Sequence, residues 1–514
     1  MRTAYYNAVI RDSSATAILT EDERIIQVGT DEEILAEQAD ESVNLCGMYL
    51  MPSFADTHMH LAGMGRYLSE LILNGCTLEQ IGTKLRGAEV KNGWIIGRGY
   101  SENDFAEGEV LNKAFLDSIS KDVPIALTRV CGHKMTVNSK VLELIGIHED
   151  YEAEGARIYF ETGAVEENAI PMVHAAEPVP DEKTLMEYIE TGAAYCNKKG
   201  ITIVGSDDFL SILENYKGML NAFEKMSFQN RLTVRVNEQC EFNDVKEFSE
   251  FLDEGYTMDV GNDLFRIGPL KLITDGSMGA HTAALSKPYV NDTQSGYVCI
   301  SEDDIRIFVQ LANRFNMSTI AHAIGDATVD AVLRVFDDEV LEGNPLHHGL
   351  VHCQIMRKDQ VEKVIAKKLS CYIQTQFIDE DSQMMVMIPE DLREYSYPYR
   401  TLYEGTIASN GSDAPVELPD PIRGIILAET RKSIKNGIPM APESERMSRR
   451  QAIDSFVEAG CRQLFMEDRL GRIEPGYYAD FIVLDNNIDT CDLETLQKTE
   501  VQMTVMNGRT VFEK

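Results

Sequence analysis

Tyr49-Leu50-Met51-Pro52-Ser53-Phe54-Ala55-Asp56-Thr57-His58-Met59-His60 is an apolar run that ends in a carboxylate and two histidines one residue apart. The run has the length and composition of a buried strand. Side chains two apart on a strand share a face, so His58 and His60 project into one space. Two imidazoles at that separation grip a single cation, and imidazole suits Zn²⁺. A His-x-His pair taken alone is equally consistent with two unrelated polar side chains at a strand end.

Working outward, Tyr49–Asp56 is the first of eight candidate strands. The others are Ile201–Asp207, Leu232–Glu238, Leu270–Asp275, Ser318–His322, Gly349–His352, Ser370–Gln374 and Ile407–Asp413. Helical patterns alternate with them, among them Leu185–Lys199, Glu302–Asn316 and Asp359–Lys368. Strands alternating with helices make a parallel sheet, and eight such units predict an α/β fold of the (β/α)₈ TIM-barrel type. From Asp56 to Ile201 the chain is far too long for one connecting helix. It carries apolar strands of its own, Trp94–Gly99 and Pro124–Val130. An inserted subdomain is therefore expected after the first barrel strand, at about 75–180, over the barrel mouth.

Both chain ends read as short strands joined by turns. At the front these are Ala4–Arg11, Ala15–Leu19 and Arg24–Val28. At the back they are Ala479–Asp485, then Val501–Met506 and Thr510–Phe512 around an Asn507-Gly508 turn. One small β-sandwich built from 1–48 and 470–514 is predicted, with the barrel occupying 49–469.

The remaining histidines fit this frame. His322 ends the fifth strand, His352 the sixth, and Asp413 the eighth. In TIM barrels the C-terminal strand ends converge on the active site. One histidine at such a point is ordinarily a hydrogen-bonded structural group. A His-x-His pair, two further histidines and an aspartate at four separate strand ends point to a metal centre.

Bulk properties narrow the class. Of 514 residues 44% are hydrophobic and 26% charged, with a formal net charge of −36. Such a surface repels nucleic-acid phosphates and anionic membranes. There is no apolar run of about eighteen residues to span a bilayer, and the first residues lack a signal-peptide pattern, so the expected location is cytoplasmic. The ten cysteines are scattered without a Cys-x-x-Cys, and reduced thiols are expected.

Further segments complete the picture: Arg129-Val130-Cys131-Gly132-His133 with Asn138-Ser139, Lys271-Leu272-Ile273-Thr274-Asp275-Gly276-Ser277-Met278-Gly279, His322-Ala323-Ile324-Gly325-Asp326, Gly411-Ser412-Asp413-Ala414-Pro415-Val416, and Gly471–Asp480. With Asp56-Thr57-His58-Met59-His60 these resemble the amidohydrolase superfamily. Within it they look most like amidohydrolase family 3, the N-substituted formamide deformylase-like metal-dependent hydrolases. The resemblance runs over nearly the whole chain. It implies a divalent metal site, with Zn expected, held by His58, His60, His322, His352 and Asp413. Lys271 takes the fourth-strand position where some members carry a carboxylated lysine bridging two metals. A plain ammonium has no lone pair, so one ion or two stays open, and the alternative is an ordinary amine pairing with Asp275 or substrate. Gln374-Thr375-Gln376 departs from the Gln-Pro of many relatives, and the Asp-, Glu- and Met-rich Phe377–Arg393 matches no subgroup.

The activity implied is hydrolysis of a non-peptide C–N bond, amide or formamide, in a small molecule. Metal lowers the pKa of a bound water, and Asp413 accepts its proton and passes it to the leaving nitrogen. His133 is the candidate oxyanion donor, against a structural role beside Gly132. Asp275 and Ser277 are the candidate substrate contacts, against a turn-capping role. Asp326 either orients His322 or caps the helix that follows. The alternatives are hydrolysis of a cyclic amide, imide or lactone, and a non-catalytic protein that binds small molecules at the barrel mouth. The expected partner is a small-molecule substrate, with neither nucleic acid nor membrane, and self-association into a homodimer is left open.

Overall fold

The apolar run at 49–60 is shared between two sheets. In the computed structural model, which describes residues 1–153, 156–212 and 216–514, Tyr49–Pro52 pairs antiparallel with Phe481–Leu484. Phe54–Met59 pairs parallel with Ile201–Ser206. The expected single strand Tyr49–Asp56 is thus two strands that meet at Ser53. All residues from Tyr49 to Met59 are buried, so hydrophobicity carries no mark of the change of sheet. Pro52, which lacks a ladder donor, closes the first of the two.

The larger sheet is a parallel (β/α)₈ barrel. Its strands in chain order are Phe54–Met59, Ile201–Ser206, Arg235–Glu241, Phe265–Leu272, Thr319–Ala323, Gly349–His352, Ser370–Ile373 and Ala408–Asn410. Successive strands are hydrogen-bonded neighbours throughout. Ile201–Ser206 is buried at every position, as expected for strands covered on both faces. Capped helices separate the strands. Ser301 accepts from Asp304 N–H at the start of Glu302–Arg314, whose first turn is acidic.

The barrel closes where the eighth strand runs back beside the first. Asp413 N–H donates to His58 O at 2.8 Å, and Thr57 Oγ1 donates to Asn410 O at 3.0 Å. Gly411 makes the approach possible, since a Cβ there would lie 2.6 Å from His58 N.

The termini supply two further sheets. One runs Arg24–Gly29, Ala17–Glu21, Arg2–Tyr6, Glu41–Asn44, and the other Val9–Ile10, Tyr49–Pro52, Phe481–Leu484, Val501–Met506, Arg509–Glu513. Tyr5, Ile18, Ile25, Leu50, Phe481 and Val505 form their shared core, with Tyr5 edge-on to Phe481 at 5.0 Å. The turn at Asn507-Gly508 has φ of 51° and 66°, the paired left-handed conformation of a type I′ hairpin.

The insertion is a compact unit of its own, chiefly Met64–Gly192, wider than the expected 75–180. It contains a seven-stranded mixed sheet in which Ile95–Tyr100 and Ile125–Arg129 are parallel neighbours. Among the described residues no helix is long and apolar enough to cross a membrane. All ten cysteines are unpaired.

Candidate metal centre

His58 lies within the first barrel strand, His60 just past its end, and Asp413 just past the eighth. Because those strands are neighbours, the three side chains meet. Asp413 Oδ1 is 3.3 Å from His58 Nε2 and 3.3 Å from His60 Nε2. One potential ligand atom from each of the three lies within 4.8 Å of the other two. His352 stands beside His58 with ring centroids 5.6 Å apart, and His322 beside His352 at 4.4 Å. Four histidines from three strand ends therefore gather with one aspartate.

Each imidazole is held by its far nitrogen. His58 Nδ1 donates to Gln239 Oε1 at 2.6 Å, and His352 Nδ1 to Gln374 Oε1 at 3.0 Å. His322 Nδ1 donates to Asp275 Oδ1 at 2.7 Å, and His60 Nδ1 to the Asp207 carbonyl. The roles in these bonds are forced. A carbonyl and a carboxylate only accept, and the two glutamine amides are oriented by Nε2 bonds to Thr57 O and Tyr372 O. With Nδ1 donating in all four rings, Nε2 is in each the nitrogen left to a cation, once His60 Nε2 gives up the proton that Asp413 favours. Gly205 leaves room for the Gln239 amide, since a Cβ there would stand 2.8 Å from Gln239 Nε2 and 2.3 Å from Thr57 O.

Charge is arranged around this set. Burial pushes the His58 and His352 imidazoles down from their ordinary range, aided by Lys271 and, for His352, by His322. Burial opposes a charge on His60, but Asp413 and Asp207 raise it to about 9. Burial likewise opposes a charge on Asp413, yet the His58 and His60 rings that face it hold its carboxyl well below the usual range. Asp413 and His352 have φ of 57° and 80°, left-handed conformations that non-glycine residues adopt at a cost and that concentrate at functional sites.

The remaining expectations divide. Lys271 is buried, and its Nζ donates to Asp207 Oδ2 at 2.9 Å rather than to Asp275. As an ammonium it is a fixed positive charge and no ligand. Asp275 differs from the expectation of a substrate contact. Its carboxylate is buried and accepts from His322 Nδ1 and from the N–H groups of Ile324, Gly325 and Ala284. With its lone pairs so occupied it orients His322, the role considered for Asp326. Asp326 instead receives Arg357 Nη1 at 2.9 Å and Ser286 N–H at 2.8 Å. Ser277 is exposed and heads a turn in which its carbonyl accepts from Thr282 and Ala283. His133 belongs to the insertion, where its side chain is 70% exposed and Nδ1 lies 3.1 Å from Glu167. Gln239 and Asp207 were not anticipated. Gln374 stood out in the sequence only as part of a departure, and it proves to hold His352.

The chemistry of the donor set fits a divalent cation of the zinc type, with several neutral imidazoles and one carboxylate in a buried setting. An unused acceptor adds to the fit, because Asp207 Oδ1 is buried and has no hydrogen-bond partner among the described residues.

Residues 41–512 match the sequence profile described as the amidohydrolase family. The YtcJ protein of Bacillus subtilis (strain 168) is 28% identical across 99% of this chain and 98% of its own length. The N-substituted formamide deformylase of Arthrobacter pascens is 21% identical across 98% and 96%. Among solved structures, an uncharacterized metal-dependent hydrolase from Pyrococcus furiosus superposes with a TM-score of 0.81 at 25% identity, covering 95% of this chain and all of that one.

Proposed function

The chain belongs to the amidohydrolase family, and from that premise we propose that it hydrolyses a non-peptide C–N bond, of the amide or formamide type, in a small molecule. The observation that carries this is the convergence of His58, His60 and Asp413, with His322 and His352 alongside and every Nδ1 anchored from behind. These residues would hold a divalent cation, for which Zn is the reading the donor types favour. When bound, such a cation supplies Lewis acidity and brings the ionisation of water toward neutrality.

The chain's own residues do the rest. Asp413 is the base, an ionised carboxylate able to take a proton from water and return it to the departing nitrogen. Gln239, Gln374, Asp275 and the Asp207 carbonyl keep the imidazoles in one tautomer, so no reorganisation accompanies the reaction. Lys271 supplies a buried positive charge near the forming anion, in its unmodified form paired with Asp207. Carboxylation of Lys271, which would permit a second ion, is a separate possibility that metal stoichiometry decides. Ser277 is proposed as a substrate-side group. The formamide choice is supported by the Arthrobacter relative, which is named for that reaction.

The test is a hydrolysis screen of N-formyl, N-acyl and cyclic amide substrates, run on protein whose metal content has been measured by mass spectrometry. Amine release in proportion to bound metal is expected. Protein that binds metal yet cleaves none of these, while opening lactones, would move the activity to C–O bonds. Protein that never holds metal would sink the hydrolytic reading.

A further inference from the structure

The insertion unit contains a cavity that the metal centre does not use. It measures about 530 Å³, a size that encloses a small organic molecule. All of its lining residues lie between Arg66 and Tyr188, inside the one unit. Trp94, Tyr188, Leu71 and Pro178 supply apolar wall, and Arg66, Glu70 and Glu177 are half-buried charges along it.

The charged groups are unequally matched. Arg66 Nη2 donates to Glu177 at 2.6 Å, and the other Glu177 oxygen takes His174 Nδ1 at 2.8 Å. Glu70 is left over. Its side chain is 15% exposed, and its nearest cations, Arg66 Nε and Arg98 Nη1, each stand 3.9 Å away, beyond hydrogen-bond reach. Burial raises its carboxyl above the ordinary range, against the pull of Arg98 and Arg66. Tyr188 and Trp94, only 8% and 4% exposed, also line the cavity. Here a carboxyl group and two amphipathic rings border one cavity.

We propose that this cavity binds a small molecule with an aromatic or otherwise apolar body and a protonated amine, the amine on Glu70 and the body against Trp94 and Tyr188. An ammonium brings several donors and a charge opposite to the carboxylate, which neither a hydroxyl nor an anion does. The rings match an apolar body and tolerate an adjacent cation. The site stands whatever bond the metal centre cleaves.

Trp94 is the one tryptophan in the chain, so protein fluorescence excited at the indole reports on this cavity. Titration of the full chain with 4-phenylbutylamine should shift that emission saturably. The neutral counterpart 4-phenylbutan-1-ol should bind at least about tenfold more weakly, the usual worth of a charge-assisted hydrogen bond. Glu70→Gln should weaken amine binding by a similar factor, and Ala88→Phe, which fills the space, should abolish it. His58→Ala should titrate like the wild type. The proposal fails if no saturable shift occurs below about 10 mM, or if amine and alcohol bind alike. It also fails if the response disappears in His58→Ala, which would place the ligand at the metal centre. Should Glu70→Gln not fold, the amine-to-alcohol comparison and Ala88→Phe decide the matter on their own.

Discussion

Asp413 is held in place by its neighbours. Its N–H donates to His58 O, its carboxylate faces two imidazoles, and its left-handed φ is over-determined by barrel closure. Asp413→Asn preserves those contacts in outline but cannot accept a proton. Turnover should fall by about 10²- to 10⁴-fold, with the far-ultraviolet spectrum unchanged. A variant within a few-fold of wild-type turnover would remove Asp413 from the base role. Gln239 makes the complementary case. It touches His58 Nδ1 and never faces the cation, so its loss acts through the tautomer. Gln239→Ala should weaken metal affinity about 10- to 100-fold, measured by competition with a chromogenic chelator. An unchanged affinity would show that the His58 tautomer is set by something else. The sequence made His58 and Asp413 visible because they end strands whose hydrophobic pattern is strong. It offered no sign of Gln239, which lies 181 residues from its partner inside an ordinary strand.

Elements carry the next level of control. Most of the eight parallel strands were readable one at a time as apolar runs bounded by turn residues, whereas the largely polar third, Arg235–Glu241, and the fourth, Phe265–Leu272, lie shifted from the expected Leu232–Glu238 and Leu270–Asp275. The division of 49–60 between two sheets was not, because both halves are buried and the ladders that tell them apart belong to residues near 201 and 481. The helix Ile378–Met384, which opens the segment that matched no subgroup, has a testable feature. Asp381 accepts from Tyr397 Oη at 2.6 Å, yet burial raises its carboxyl to about 7. An unfolded aspartate has a pKa near ~3.9. The folded chain therefore keeps a proton that the unfolded chain loses, and stability declines as pH rises from the unfolded value to the folded one. Asp381→Asn removes that decline while leaving an acceptor for Tyr397. The variant should melt with the wild type near pH ~4 and a few degrees higher near pH ~8. Equal differences at both pH values would mean that Asp381 stays ionised in the fold.

At the scale of the whole molecule, the C-terminal segment and the barrel share buried charge. Arg235, at the start of the third barrel strand, donates to both oxygens of Asp480 at 2.8 and 2.9 Å, with both side chains nearly inaccessible. Tyr478 covers the guanidinium at 4.1 Å. Removing one partner strands the other charge, so Asp480→Ala should cost about 3–5 kcal/mol of stability, read from denaturant midpoints. A loss below ~1 kcal/mol would show that Asp263 O and Asn507, which Arg235 also contacts, are sufficient. Local pattern by itself determined the barrel, the terminal strands, the presence of an insertion and the histidines at strand ends. Each of these depends on periodicity and composition within a short window, where burial demands a particular alternation of residues. Only the tertiary structure decided which acceptor fixes each imidazole, that Asp275 serves His322, that Lys271 faces Asp207, and where one sheet hands the chain to another. Those outcomes depend on contacts between separate segments, with side-chain bonds spanning 22, 47, 64 and 181 residues, and a hydrogen bond leaves no periodic trace in the chain that makes it.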